Sequence, residues 1–368
     1  MRILVINWQD RKNPLAGGAE VHLHEIFGRI AGQGNDVTLL CSSYPGLSKT
    51  EVVDNIKVIR IGQRYNFNFF VPSACRHLQG SYDIIVDDMN KIPFFTPLYA
   101  KIPILVVLHH FFGSAIYHET SLPFASYVYL GEKLVPLIYK REFFCVVSKS
   151  TRDELIQMDM PESNIRIIYN AVSSSLCPNF SGKTKGPSVV LFGRMKKYKR
   201  PELALHAMKQ VVSRIPNAKL IVMGGGDYLP SLIGCSKALN MESHVEFTGY
   251  VSEKRKREIL QSAWVGVNPS SKEGWGITVI EANACGTPVI ASDSPGLRDS
   301  VIDGKTGFLV EHGNVELLAD KIIKVLEDTK LRDSLSSSAL EWAKKFDWDI
   351  SAKEMLNLME EVMSSNVQ

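Results

Sequence analysis

Short runs of apolar and β-branched residues alternate with longer amphipathic stretches along nearly the whole chain, and the alternation runs through twice. In the first half the runs fall at residues 3–6, 37–41, 57–61, 84–86, 104–108, 144–147 and 165–169. Most are continuously apolar, as strands are when both faces of a parallel sheet are covered. Helical spacing fills the gaps, the pattern of βα units wound on mainly parallel sheets. After Asn170 the periodicity lapses into Ser173, Ser174, Ser175, Pro178 and the polar stretch 181–187, a linker composition. It restarts with runs at 189–192, 219–223, 244–247, 265–267, 288–291 and 307–309, separated by helical stretches at 201–214, 253–262, 278–285 and 315–328. Two doubly wound α/β domains are therefore expected, residues 1–172 and 188–346, joined by a linker at 173–187. The length agrees, since 368 residues exceed the roughly 250 at which single cores stop growing.

Doubly wound sheets bind ligands outside the carboxyl ends of their strands, and two in succession imply a cleft between them. Composition narrows what could bind there. A net charge of +3 and a pI near 8.4 are too mild for a nucleic-acid protein but leave room for small anions. The six cysteines form no CxxC pair and no Cys/His ligand spacing, so they read as reduced, mostly buried thiols. No basic-then-apolar leader opens the sequence and no run of about 18 apolar residues interrupts it, so a cytoplasmic chain without a membrane span is expected.

Chemistry-bearing residues gather where the strand runs end. Glu273 and Glu281 are separated by seven residues, with Gly274 and Gly276 between them, on the way from the run at 265–267 into a helix. The first carboxylate precedes the helix and the second lies about one turn in, so both can point towards its N-terminal end. Exposed N–H groups and the positive end of the helix dipole make that end favourable for a phosphate. Gly193, Arg194 and Lys199 follow the first strand run of the second half, where a guanidinium fork and a mobile ammonium can grip a diphosphate. Taken singly, these are also what a helix-flanking glutamate pair and a solvated basic loop look like. Gly224, Gly225 and Gly226 mark a turn after another strand run, and Tyr250 and Val251 a further strand end. In the first half, Gly17 and Gly18 open a helix after the first run, without the spacing of a dinucleotide fingerprint. His109 and His110 end the run at 104–108, on opposite sides if the strand continues through them.

Together these motifs resemble the retaining glycosyltransferases of family 4, whose two Rossmann-like domains form the GT-B architecture, and the resemblance covers nearly the whole chain. It implies that Arg194 and Lys199 hold the diphosphate, Glu273 the donor sugar's hydroxyls and Glu281 the ribose. Backbone N–H groups of Gly276, Ile277 and Thr278 would complete the phosphate site, flanked by Gly193 and Gly274. Gly225 would belong to the family's second glycine turn near the nucleotide, with Tyr250 and Val251 beside the base. Gly17 and Gly18 would lie against donor phosphates and acceptor, and His109 beside the transferred sugar, with His110 in reserve. The stretch 350–368 resembles a terminal helix that crosses back onto the first domain. Two departures from the family pattern stand out. Arg200 and Pro201 follow Lys199 where a glycine is frequent, and Ala171 follows Asn170 where Asn-Gly is usual.

The implied reaction moves a sugar from a nucleotide diphosphate sugar to a hydroxyl acceptor with retention of configuration, as in glycan, polysaccharide or glycolipid assembly. No cofactor is expected, and no metal, because cations and a helix end already supply positive charge. Asp87-Asp88, the one tempting carboxylate pair, ends a strand in the wrong domain for the donor and reads as acceptor-side or structural. A GT-B phosphorylase or epimerase, or a nucleotide-sugar-binding protein without catalysis, would share the architecture. Base, sugar, linkage and oligomeric state are not legible. The acceptor is open too, lipid-linked ones included, with Phe111, Tyr117 and Glu119 as candidate contacts. Basic and aromatic residues interleave at 64–70 and 139–144, which suits a peripheral membrane contact as well as it suits packing.

Overall fold

The computed structural model describes residues 1–90, 92–179 and 182–365. It divides into two compact units, residues 1–170 with 347–368, and residues 171–346. Of the expected linker, Phe180 and Ser181 lie outside the described residues, as do 366–368 of the terminal stretch.

The first unit is built on an eight-stranded sheet: β1 (Arg2–Ile6), β2 (Asp36–Ser43), β3 (Thr50–Val53), β4 (Ile56–Gln63), β5 (Ile84–Met89), β6 (Ile104–Leu108), β7 (Phe143–Val146) and β8 (Ile165–Ile167). Their order across the sheet is β3-β4-β2-β1-β5-β6-β7-β8, parallel throughout except for the antiparallel hairpin of β3 on β4. The helices are α1 (Gly18–Gly32), α2 (Phe67–Leu78), α3 (Leu122–Lys133), α4 (Val135–Ile138) and α5 (Lys149–Gln157). Central strands are buried on both faces, as Ile3 through Ile6 and Leu105 through Val107 show, which is why they read as unbroken apolar runs.

The second unit carries a six-stranded, wholly parallel sheet: β9 (Ser188–Phe192), β10 (Lys219–Met223), β11 (Val245–Gly249), β12 (Val265–Asn268), β13 (Val289–Ser292) and β14 (Gly307–Val310), in the order β11-β10-β9-β12-β13-β14. Its helices are α6 (Glu202–Arg214), α7 (Leu229–Ala238), α8 (Glu253–Ser262), α9 (Ile277–Ala284), α10 (Leu297–Ser300), α11 (Val315–Glu327) and α12 (Thr329–Ala343). Side-chain caps start several of them. Ser252, Asn314 and Asp328 accept from the N–H groups of Arg255, Leu317 and Leu331 and satisfy otherwise orphaned donors. Lys183, in the expected linker, is anchored here, donating to the Ala263 carbonyl at 2.7 Å and the Thr287 hydroxyl at 3.0 Å.

The last helix, α13 (Trp348–Ser365), belongs to the first unit and packs on α1. It buries Met355, Leu358, Met359 and Val362, the Ser351 hydroxyl donates to the Tyr169 carbonyl at 2.8 Å, and Arg29 pairs with Asp349 at 2.7 Å.

Both sheets reverse their winding at one point. In the second unit β9 lies between β10 and β12, and in the first β1 lies between β2 and β5. Loops leaving neighbouring strands there part to opposite faces and open a crevice, the place where such sheets bind ligands.

Candidate active site

In the second unit the crevice is flanked by the loops after β9 and β12, the two segments that carry the sequence motifs. The loop after β9 presents Arg194 at the surface and turns back through Lys197–Lys199. The loop after β12 carries Glu273, whose N–H donates to the Pro295 carbonyl at 3.1 Å. Across the gap the Lys199 ammonium donates to the Glu273 carboxylate at 2.7 Å, with side-chain exposures of only 18% and 13%. The Ser270 hydroxyl donates to the same oxygen at 2.8 Å. Burial alone would lower the Lys199 pKa, but the attraction and hydrogen bond of Glu273 outweigh it, so the ammonium stays charged. Arg194, Lys199, Asn268, Ser270 and Glu273 line one recess.

Between Glu273 and α9 the chain must turn sharply, and two residues do it. Gly276 is the N-cap of α9 with φ +83°, a left-handed conformation, and a Cβ there would come within 2.7 Å of the Ser300 hydroxyl. Trp275 is 2% exposed and packs edge-on to Phe346 at 4.6 Å, fixing the loop from behind. The first N–H groups of α9, from Ile277 and Thr278, have no acceptor within the helix. The Asn268 amide donates to the Thr278 hydroxyl at 3.2 Å and ties the helix start to the end of β12.

Glu281 lies one turn further on and does not join Glu273. Its carboxylate is held at 2.9 Å by Lys256 of α8, which also bonds Glu253 at 2.7 Å. Burial raises the Glu281 pKa despite the pull of Lys256. Lys256 itself is raised, because its two carboxylates more than offset burial. The third loop group sits beside Arg194: Met195 N–H donates to the Gly225 carbonyl at 2.8 Å, and Gly193 N–H to that of Met223 at 3.1 Å. Tyr250 is 77% exposed yet lies over Gly225, so closely that a Cβ there would be 2.4 Å from the ring. Val251 follows it, half-buried. The structure thus joins Gly193, Arg194, Gly225 and Tyr250 on one side, and Lys199, Glu273, Gly276 and Thr278 on the other. Lys256, Asn268 and Ser270 were not singled out from sequence. Lys256 sits in a run of charges on a surface helix, and only the fold reveals that it faces Glu281.

In the first unit the residues around the winding reversal form one polar chain, buried at Asn7, Glu20, Asp88 and His109. Glu20 accepts from Gly17 N–H at 2.6 Å and from the Asn90 amide at 3.1 Å, Asn90 donates to Asn7 at 2.9 Å, and Asn7 donates to Asp88 at 2.9 Å. Asp88 in turn meets His109 Nε2 at 3.0 Å. Burial raises the Asp88 pKa, opposed by His109, which orients the imidazole with Nε2 towards the carboxylate. The fully buried His22 ring packs edge-on to His109 at 4.9 Å. Burial first, and His109 second, push its pKa well below the ordinary value, so it stays neutral. Gly17 spends its N–H on Glu20, whereas a Cβ on Gly18 would meet only open space.

Several expectations are corrected here. Asp87 and Asp88 do not end the strand but lie inside β5, fully buried, because hydrogen bonds from within the unit let the strand continue through two carboxylates. Asp87 takes the hydroxyls of Thr96 and Tyr139 on one oxygen, at 2.6 and 2.8 Å. His109 and His110 both lie beyond β6, so strand alternation does not divide them. Phe111 is 3% exposed in the core around β6 and β7 and is not available to an acceptor. Tyr139 and Phe144 are fully buried in that same core, so packing accounts for these two of the aromatic residues of 139–144. Among the described residues, no helix is long and apolar enough to cross a membrane.

Comparison with known proteins places this geometry. The family model described as glycosyl transferases group 1 matches residues 178–342, and that described as glycosyltransferase family 4 matches residues 16–176. An uncharacterized glycosyltransferase of Methanocaldococcus jannaschii is 25% identical over 401 residues, covering 97% of each chain. A phosphatidyl-myo-inositol mannosyltransferase of Mycobacterium leprae is 25% identical over 369 residues, covering 95% of this chain and 94% of that one. Among solved structures, sucrose-phosphate synthase from Thermosynechococcus elongatus superposes with a TM-score of 0.83 at 21% identity, over 99% of this chain and 100% of that one. The Anabaena protein HepE, in complex with UDP-glucose, does so with 0.79 at 19% identity, over 98% and 100%. Two family models that abut along the chain, and a fold shared with solved members from end to end, make this protein a glycosyltransferase of family 4 with the GT-B fold.

Proposed function

We propose that this glycosyltransferase takes its sugar from a nucleotide diphosphate sugar, bound in the second unit, and passes it to a hydroxyl acceptor with retention of configuration and without a metal. The observation that carries the reading is the Lys199–Glu273 pair at 2.7 Å, set at the winding reversal of the sheet beside Arg194 and the start of α9. Such a site offers cations and N–H donors to a diphosphate and a carboxylate to sugar hydroxyls. Glu281 is assigned to the ribose and the Gly225–Tyr250–Val251 group to the base. The complex of HepE with UDP-glucose supports a nucleotide-sugar donor. His109, oriented by Asp88, and the Gly18 turn are assigned a role towards the transferred sugar and the acceptor.

In this mechanism the bond from the donor's C1 to the diphosphate oxygen breaks, and its electron pair leaves with the phosphate. Charge grows on that oxygen as the sugar becomes oxocarbenium-like, so Arg194, Lys199 and the N–H groups of α9 contribute most where the charge develops. The acceptor oxygen bonds to C1 from the same face, and its proton passes to the departing phosphate. NMR coupling constants of the product at the anomeric carbon test this, with retention expected. An inverted product would overturn the proposed mechanism.

A further inference from the structure

Large apolar side chains that stay in water are unevenly placed on this protein. Most of those more than a third exposed fall in residues 65–70 and 117–137, both in the first unit. In α2 and the turn before it, Tyr65 is 75% and Phe69 71% exposed. Along α3, the joining Leu134 and α4, the exposed residues Phe124, Tyr127, Leu130, Leu134 and Leu137 recur at steps of three and four. That spacing defines one helical face, the kind that ordinarily points into a core, and here it points out, while Ala125, Gly131 and Val135 fill the buried side. The two segments form one surface: the Tyr65 and Phe124 rings lie 6.3 Å apart, and the Asn68 amide donates to the Tyr127 hydroxyl at 2.8 Å.

Its border is cationic. Arg64 lies over the Tyr65 ring at 5.6 Å and Lys133 over that of Tyr129 at 5.4 Å, and Lys140 and Arg141 are exposed just beyond α4. Residues 64–78 contain no Asp or Glu. Glu132, the acid within α3, is buried and accepts from the N–H groups of Phe112 and Gly113 at 2.7 and 2.8 Å. Aromatic and leucine side chains inside a basic rim suit the boundary between anionic headgroups and acyl chains, where Lys and Arg near the surface are attracted to the headgroups. A second copy suits it less well, because a two-fold pairing would bring one cationic rim against another.

We propose that the face formed by the start of α2 with α3 and α4 docks the protein onto an anionic lipid bilayer. The test is flotation of the full chain with vesicles of phosphatidylcholine alone and of phosphatidylcholine with phosphatidylglycerol. The protein should float with the second and not with the first, and high salt should release it. Phe69→Ser combined with Leu137→Ser, and separately Arg64→Glu combined with Lys133→Glu, should each lower the bound fraction about tenfold or more, with thermal melting and donor binding unchanged. Four results would each overturn the proposal: no flotation of the unaltered chain, equal flotation with neutral vesicles, no effect of either pair, or a lipid-free dimer that the Leu137 substitution dissociates.

Discussion

Among the residues assigned to the proposed donor site, Glu281 is the one whose role is easiest to isolate. Replacing it with glutamine keeps its size and one acceptor oxygen and removes the charge. Lys256 is not orphaned by the change, because Glu253 still holds it at 2.7 Å. The variant should therefore melt within about 1 kcal/mol of the parent, since the lost partner was one of two and removal of a charge from a buried site offsets part of the loss. Nucleotide binding should suffer more. A hydrogen bond to a charged group contributes about 1 kcal/mol more than its neutral counterpart, and a carboxylate facing the two ribose hydroxyls makes two of them. The expected loss is about 2 kcal/mol, or about 30-fold in Kd. Calorimetric titration with UDP, GDP and ADP, alongside a thermal melt, reads both quantities. An unchanged Kd in a folded variant would remove Glu281 from the nucleotide site and leave the Lys256 pair a packing feature.

Further outcomes follow from other parts of the site. Gly276→Ala places a Cβ at φ +83° within 2.7 Å of Ser300, so it should destabilise the second unit by about 2 kcal/mol and weaken donor binding; a parental melting temperature would refute the turn's role. Burial raises the Asp87 pKa from 3.8 to about 6. A raised folded value means that the group's contribution is fully present below about pH 4 and is lost as pH rises through 6, a change of about 3 kcal/mol. Asp87→Asn should therefore gain about that much on the parent between pH 4 and 8 in denaturant melts, and a pH-independent difference would contradict it. Dialysis against EDTA should leave turnover intact, whereas strict recovery by one divalent cation would overturn the metal-free mechanism.

How much of this was legible in sequence depends on burial. Parallel strands covered on both faces announced themselves as apolar runs, so thirteen of the fourteen strands among the described residues were located within a few residues. The exception, β3, buries only Val53 among Thr50, Glu51, Val52 and Val53, and an exposed edge strand has no apolar run to show. Helix α7 contains Pro230 and Gly234, which mask its periodicity. Asp87 and Asp88 ended an apolar run in the sequence but not the strand, because partners distant in sequence make their burial tolerable. The loop motifs after β9 and β12 were legible because a strand end and a glycine turn are local features. Their union through Lys199 and Glu273, 74 residues apart, is a consequence of β9 and β12 being neighbours, which no local pattern states. The pairing of Lys256 with Glu281 escaped for the same reason.

The central claim is that sugar leaves a nucleotide diphosphate under the action of the basic residues after β9. Its most direct measurement is nucleotide release from UDP-, GDP- and ADP-sugars by the parent chain and by Arg194→Ala. The account predicts release from at least one nucleotide class, slowed about 100-fold in the variant, since loss of one such donor raises the barrier by about 3 kcal/mol. Equal rates in the two proteins, or sugar phosphate formed from inorganic phosphate with no nucleotide consumed, would contradict it.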